Sequence, residues 1–166
     1  QLLTMSITDS LTGVGNRARA DQLLRSAHRD LKKGAPGCGL ILCDIDHFKT
    51  INDTHGHQVG DVILKEFAAT LLSAMRSDAE ICRWGGEEFL ILIRETDEHG
   101  LQVLADRLRT CIAETTFSAG LKVTASFGFG MQNPNISIDR NITNIDDALY
   151  QAKNSGRNCA VAADIH

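Results

Sequence analysis

Four acids stand at the ends of apolar runs in this chain. Asp44 and Asp46 close GLILCDID, and Glu87 and Glu88 follow the paired glycines of RWGGEEFLIL. Alternation along an extended strand sends Asp44 and Asp46 to one face or edge. If the two segments are sheet neighbours, two or three carboxylates converge at one end of that sheet. Like charges held a few ångströms apart are costly unless a cation neutralises them. One or two carboxylates completed by water and phosphate oxygens suit Mg²⁺. The same spacing also fits four solvated loop acids. Gly85 and Gly86 lack Cβ, so their backbone N–H groups can approach a phosphate closely. A hairpin turn uses Gly-Gly for its own geometry as well.

Cations supply the other half of such a site. Lys49 follows the aspartates, and Lys153 and Arg157 stand four apart near a helix end, a spacing that shares one helix face. Residues of this kind contact phosphate oxygens, and taken singly each also reads as a surface cation. His47, His55 and His57 cluster in sequence. The glycine between the last two and the absence of a neighbouring cysteine argue against structural zinc. His57 is expected to cap or orient the helix that follows it.

The elements that must position these residues can be read from periodicity. Ala20, Leu23, Leu24, Ala27 and Leu31 recur at helical spacing from Arg17 to Lys33, and Gly34 stops the pattern. A buried strand over 39–46 follows, then a long helix marked by Val59, Val62, Ile63, Phe67, Leu71 and Met75. Segments 80–84 and 89–93 form a hairpin across the glycines. A helix carrying Leu101, Leu104, Leu108 and Ile112 comes next, then a strand over 121–130. The last helix is expected over 145–155, ended by Gly156, with a short strand over 159–163. Residues 132–144, rich in Asn, read as an exposed loop. The fold class is therefore α+β: a mainly antiparallel central sheet with flanking helices and a βαββαβ core.

Composition bounds the function. At 166 residues the chain is one domain long. Its 43% hydrophobic and 23% charged content is that of a globular protein, and its net charge of -4 argues against a nucleic-acid binder. No apolar run reaches the roughly 20 residues that span a bilayer, so no membrane contact is expected of this domain. The chain opens on Gln and is expected to be a piece of a longer protein, with residues 1–8 ending a preceding linker or signalling helix. Cys38, Cys43, Cys82, Cys111 and Cys159 form no CxxC pair and read as free thiols in a reducing cytoplasm.

Taken together, DSLTGVGNR (9–17), DIDHFKTIND (44–53), GHQVGD (56–61), RWGGEEF (83–89) and ALYQAKNSGRN (148–158) resemble the GGDEF domain family of diguanylate cyclases over essentially the whole chain. Gly15 stands where a proline or polar residue is more usual. The resemblance implies a Mg²⁺- (or Mn²⁺-) dependent condensation of two GTP molecules into cyclic di-GMP, with release of pyrophosphate, in a homodimer. It implies that Asp44 and Glu87, with the Ile45 carbonyl, hold the metal, and that Glu88 supports the turn. It implies that Asn52 and Asp61 read guanine, while Lys49, Lys153, Arg157 and the backbone near Phe48 hold phosphates beside His57, Gly85 and Gly86. An upstream sensor outside this sequence is implied too, as is a cytoplasmic location. A catalytically inactive nucleotide-binding or protein-interaction module is the alternative. An ATP cyclase is disfavoured, because the Asp61 carboxylate matches guanine's donors and finds no such pair on adenine. The family's inhibitory RxxD site is degenerate here: Arg76 is in place, Ala79 holds the aspartate position, and the acid sits one residue early at Asp78, which leaves Arg83 available but poorly supported.

Overall fold

The computed structural model describes residues 6–164, so residues 1–5 of the expected linker and the last two residues lie outside the description. Helix α1 (Arg17–Lys32) opens with the Asn16 side chain accepting from the Arg19 N–H and buries Ala20, Leu23, Leu24 and Ala27. Strand β1 (Gly39–Ile45) is buried along its whole length. Two helices follow it, α2 (Phe48–His55) and α3 (His57–Ala74). Strands β2 (Glu80–Arg83) and β3 (Glu88–Ile93) form the hairpin, α4 (Glu98–Glu114) crosses back, and β4 (Ala125–Met131), α5 (Ile138–Asn154) and β5 (Ala160–Ala162) complete the chain.

The sheet order is β2-β3-β1-β4-β5, antiparallel except for the parallel β4–β5 pair. Its first four strands form the expected βαββαβ core, with β1 in the centre. Side chains of β1 alternate between two cores. Ile41, Cys43 and Ile45 face a cluster with Phe67, Phe89 and Leu108 beneath α3 and α4. Leu40 and Leu42 face Leu24, Leu90 and Leu149 beneath α1 and α5. Each such side chain, buried in full, stabilises the fold by about 1.5–3 kcal/mol. The same parity sends Asp44 to the α1/α5 face. There α5 can lie directly on β4 because Gly128 has no Cβ; one would come within 2.4 Å of the Ile145 carbonyl oxygen.

Three expectations change. Helix α2 was not expected: only Phe48 in it is buried, too few apolar positions to mark a helical period. Half of the predicted loop 132–144 is helical, because α5 starts at Ile138, with the Ser137 hydroxyl accepting from Arg140 N at 3.0 Å. Residues 121–124 stand outside β4, although Val123 is buried. All five cysteines are free; Cys38, Cys43 and Cys82 are buried, and Cys111 and Cys159 half-buried. Among the described residues no helix is long and apolar enough to cross a membrane.

Candidate functional site

The four acids meet at one end of the sheet. Asp44 pairs in register with Glu88 across β1 and β3, and the Ile45 N–H donates to the Glu87 carbonyl at 3.3 Å, which seats Glu87 beside the end of β1. An open cleft of about 240 Å³ lies there, lined by Asp44, Ile45, Phe48, Lys49, Glu87, Lys153 and Arg157 among others. Asp44 accepts from Lys153 Nζ at 2.5 Å. Burial pushes the Asp44 carboxyl up to about 6; Lys153 opposes the rise, and Glu87 and Glu88 add to it. Burial also raises Glu88, against the pull of Lys153, with Asp146 and Glu87 pushing further upward. Lys153 is held above its ordinary value, its burial outweighed by Asp44 and the two glutamates. Even with an ammonium in contact, burial keeps the ionised Asp44 carboxylate costly.

The floor of the cleft is the start of α2. His47 takes a left-handed conformation (φ 56°, ψ 32°) and no side chain caps the helix. The first-turn amides of α2, beginning at Phe48, have no acceptor within the helix and carry its positive end. Phe48 is buried and Lys49 exposed. Beyond α2, Asn52 packs against α3: a Cβ on Gly60 would lie 1.8 Å from Asn52 Oδ1. Asp61, the residue after Gly60, is exposed. His57 is the first residue of α3 but makes no cap; Gly56 holds the cap position, so the expected capping role is corrected.

Lys153 and Arg157 both line the cleft, but not through a shared helix face. Helix α5 ends at Asn154, and Gly156 (φ 104°) turns the chain so that the Arg157 N–H donates back to the Ala152 carbonyl at 3.1 Å. This is a Schellman closure, and it leaves Arg157 and Asn158 left-handed as well, at φ 63° and 46°.

The glycine turn answers differently from a plain hairpin. Trp84 and Gly85 N–H both donate to the Glu88 carbonyl, at 2.8 and 3.2 Å. Neither glycine has positive φ. A Cβ on Gly86 would meet nothing within 4 Å, and one on Gly85 would make only ordinary contact with the Glu88 side chain, 3.5 Å away. The fold itself therefore has no need of glycine at either position. What the glycines leave is empty space beside the acids.

Arg83, Asp9 and Arg17 hold this turn in a way that the sequence did not reveal. Arg83 donates to the Gly86 carbonyl through Nε (3.1 Å) and Nη2 (2.7 Å), and its Nη1 pairs with Asp9 at 3.4 Å. Arg83 is thus engaged in the turn, which corrects the expectation that it stands available at an inhibitory site. Asp9 is pulled below its ordinary value: its burial is outweighed by bonds from Thr12 and by Arg83. Arg17 stacks on Trp84, 3.4 Å from the ring centroid, and donates to its carbonyl at 3.1 Å. Gly15 is explained by Cys82, whose Sγ would stand 2.6 Å from a Cβ there. Arg76 pairs with the displaced acid Asp78 at 3.2 Å and donates to the Arg94 carbonyl at 2.8 Å.

Among the described residues no three His, Cys, Asp or Glu side chains form a closed metal site. The donor set nevertheless fits a hard cation with few protein ligands: Asp44 and Glu87 line one open cleft with Ile45, which leaves room for water and phosphate oxygens.

Comparison with known proteins agrees with this arrangement. The family profile described as diguanylate cyclase, GGDEF domain, matches residues 6–159. Diguanylate cyclase DgcM of Escherichia coli is 38% identical over 155 residues, covering 93% of this chain and 38% of DgcM. The response regulator PleD of Caulobacter vibrioides is 37% identical over 171 residues, covering 96% of this chain and 36% of PleD. The chain thus spans well under half of these relatives. Among solved structures, the GGDEF domain of DgcB from Caulobacter crescentus in complex with c-di-GMP superposes with a TM-score of 0.90 at 29% identity, covering 99% of this chain and 98% of that one. The diguanylate cyclase SiaD of Pseudomonas aeruginosa, in complex with its activator SiaC, gives a TM-score of 0.91 at 35% identity, covering 95% and 62%. The chain belongs to the GGDEF domain family of diguanylate cyclases.

Proposed function

We propose that this chain is the catalytic domain of a diguanylate cyclase, joining two GTP molecules into cyclic di-GMP and releasing two pyrophosphates. The observation that carries the reading is the Gly85–Gly86 turn, left open without any demand from the fold, beside Asp44 and Glu87. Asp44 and Glu87, with the Ile45 carbonyl, would hold Mg²⁺ or Mn²⁺. When bound, such an ion lowers the pKa of an attacking hydroxyl and neutralises charge developing on phosphate oxygens. Gly85 and Gly86 admit the α-phosphate, and Glu88, folded under Gly85, supports the turn. The α2 amides from Phe48 onward, with Lys49, Lys153 and Arg157, take the β- and γ-phosphates. Lys153 exchanges Asp44 for a phosphate oxygen as nucleotide enters. Asn52 and Asp61 accept from the guanine edge, while His57 stands at the helix start beside them. One domain holds one GTP, so each 3′-hydroxyl needs a second domain to present the α-phosphate it attacks, and the working unit is a two-fold dimer. A sensor elsewhere in the full protein, whose location is cytoplasmic at least for this domain, would control that encounter.

The test is to incubate the purified chain with GTP and Mg²⁺ and to separate the products. Cyclic di-GMP and pyrophosphate are expected from the native chain and not from a folded Glu87→Gln variant. Near-native turnover by Glu87→Gln would remove the metal assignment.

A further inference from the structure

Asp46 is an acid that the proposed chemistry leaves unused, yet it is only 6% exposed. It lies one residue past β1 and points to the same face as Asp44, but it meets a different set of groups. Its Oδ1 accepts from the Ser126 hydroxyl at 2.6 Å, and its Oδ2 accepts from the Thr124 hydroxyl at 2.7 Å and from the Asn158 N–H at 3.0 Å. Its own N–H donates to the Thr124 carbonyl at 2.9 Å. Asp46 borders the cleft, but its carboxylate is taken up by three donors from β4, the residue before it and the segment after α5.

The Asn158 bond is the informative one. Gly156, Arg157 and Asn158 all have positive φ, a run that only glycine adopts readily. Such a run persists when both ends are over-determined. At its start the Arg157 N–H is fixed to the Ala152 carbonyl. At its end the Asn158 N–H is fixed to Asp46, its side-chain oxygen accepts from Arg109 at 3.4 Å, and the Cys159 carbonyl accepts from Phe127 N at 2.9 Å. Arg157 is the one residue of this bent segment that lines the cleft.

We infer that Asp46 is a positioning residue: through the Asn158 amide it holds segment 156–158 in its left-handed path, and so aims Arg157 at the terminal phosphates of the nucleotide. The inference rests on the reading of Arg157 as a phosphate ligand. Its consequence is selective, because Arg157 acts on phosphates that GMP lacks. Asp46→Asn keeps the shape and one acceptor, but it removes the negative charge and puts an NH₂ in place either of the oxygen that accepts from Ser126 or of the one that accepts from Thr124 and the Asn158 N–H.

The experiment measures dissociation constants for GTP and GMP by rapid displacement of a fluorescent guanosine monophosphate, before any turnover, alongside melting temperatures. Asp46→Asn is expected to weaken GTP binding on the order of tenfold, the scale of one lost charge-assisted contact, with GMP binding unchanged. Arg157→Ala should do the same, and the double variant should be no worse than Arg157→Ala alone. Ile112→Val, a core change away from the cleft, should lower the melting temperature without moving the GTP-to-GMP ratio. Where Asp46→Asn does not fold, Thr124→Val/Ser126→Ala strips the hydroxyls that orient the carboxylate, and the same selective loss is expected. Unaltered GTP binding by Arg157→Ala would overturn the phosphate role on which the inference stands. A loss in Arg157→Ala without one in the Asp46 or Thr124/Ser126 variants, or losses that multiply in the double variant, would overturn the inference itself.

Discussion

Gly60→Ala separates the proposed guanine site from the stability of the helix that carries it. Gly60 lies inside α3, where alanine is favoured over glycine by about 1 kcal/mol of helix propensity. The added methyl, however, would stand 1.8 Å from Asn52 Oδ1, and contacts of this kind do not occur below 3.0 Å. The Asn52 oxygen must therefore move by at least the difference, 1.2 Å. A hydrogen bond tolerates a spread of only about 0.5 Å in donor–acceptor distance, so the bond assigned to guanine is broken. Losing it and leaving a guanine donor unpaired costs about 1–3 kcal/mol, or roughly 10- to 100-fold in affinity. The assay is GTP binding by displacement, with thermal melting on the same samples. Gly60→Ala should melt within a few degrees of the native chain, bind GTP as weakly as Asn52→Ala, and show no further loss when combined with it. Native-like GTP binding by Gly60→Ala beside an impaired Asn52→Ala would refute the reasoning.

Other consequences follow from charge and from assembly. Because burial raises Asp44 to about 6 from 3.8, the folded state binds its proton more tightly than the unfolded chain, so stability falls as pH rises from about 4 to 6 and stays lower above. Two pKa units are about 3 kcal/mol, so Asp44→Asn should raise the melting temperature by several degrees at pH 8 and by progressively less as pH drops toward 4; a variant less stable than the native chain at pH 8 would contradict this. Product should inhibit weakly or not at all through Arg76, which is already held by Asp78 and the Arg94 carbonyl; strong inhibition at low micromolar cyclic di-GMP, relieved by Arg76→Ala, would show otherwise. Specific activity should climb with protein concentration if, as proposed, two domains must meet. A rate strictly proportional to enzyme across a hundredfold dilution of monomers would speak against the dimer.

What the sequence made legible was local and periodic. Alternation put Asp44 and Asp46 on one face or edge, and the strand-turn-strand pattern around Gly85–Gly86 located the hairpin. Helix α2 escaped because a two-turn helix with one buried residue has no period to detect. The start of α5 escaped because Asn-rich sequence outweighed a Ser137 cap followed by Ile138, Ile142 and Ile145 at helical spacing. Arg83 was placed wrongly because its partner, Asp9, is 74 positions away, and only the fold brings them together. Arg157 was assigned to the cleft for a reason that fails, a shared helix face, since the helix has already ended. Most tellingly, two adjacent glycines look the same in sequence whether a turn or a ligand requires them. Only their backbone angles and the space around them distinguish the cases.

That distinction gives the most direct test. Gly86→Ala and native protein are incubated in parallel with GTP and Mg²⁺, with cyclic di-GMP quantified and melting curves recorded. Replacing glycine where φ allows alanine stabilises by about 0.4–1 kcal/mol through the unfolded chain, so Gly86→Ala should melt at or slightly above the native temperature. On the proposed reading it should nevertheless form product at least tenfold more slowly, because the methyl would occupy the room assigned to the α-phosphate. Product formation at the native rate by Gly86→Ala, or none by the native chain at any concentration, would contradict the account.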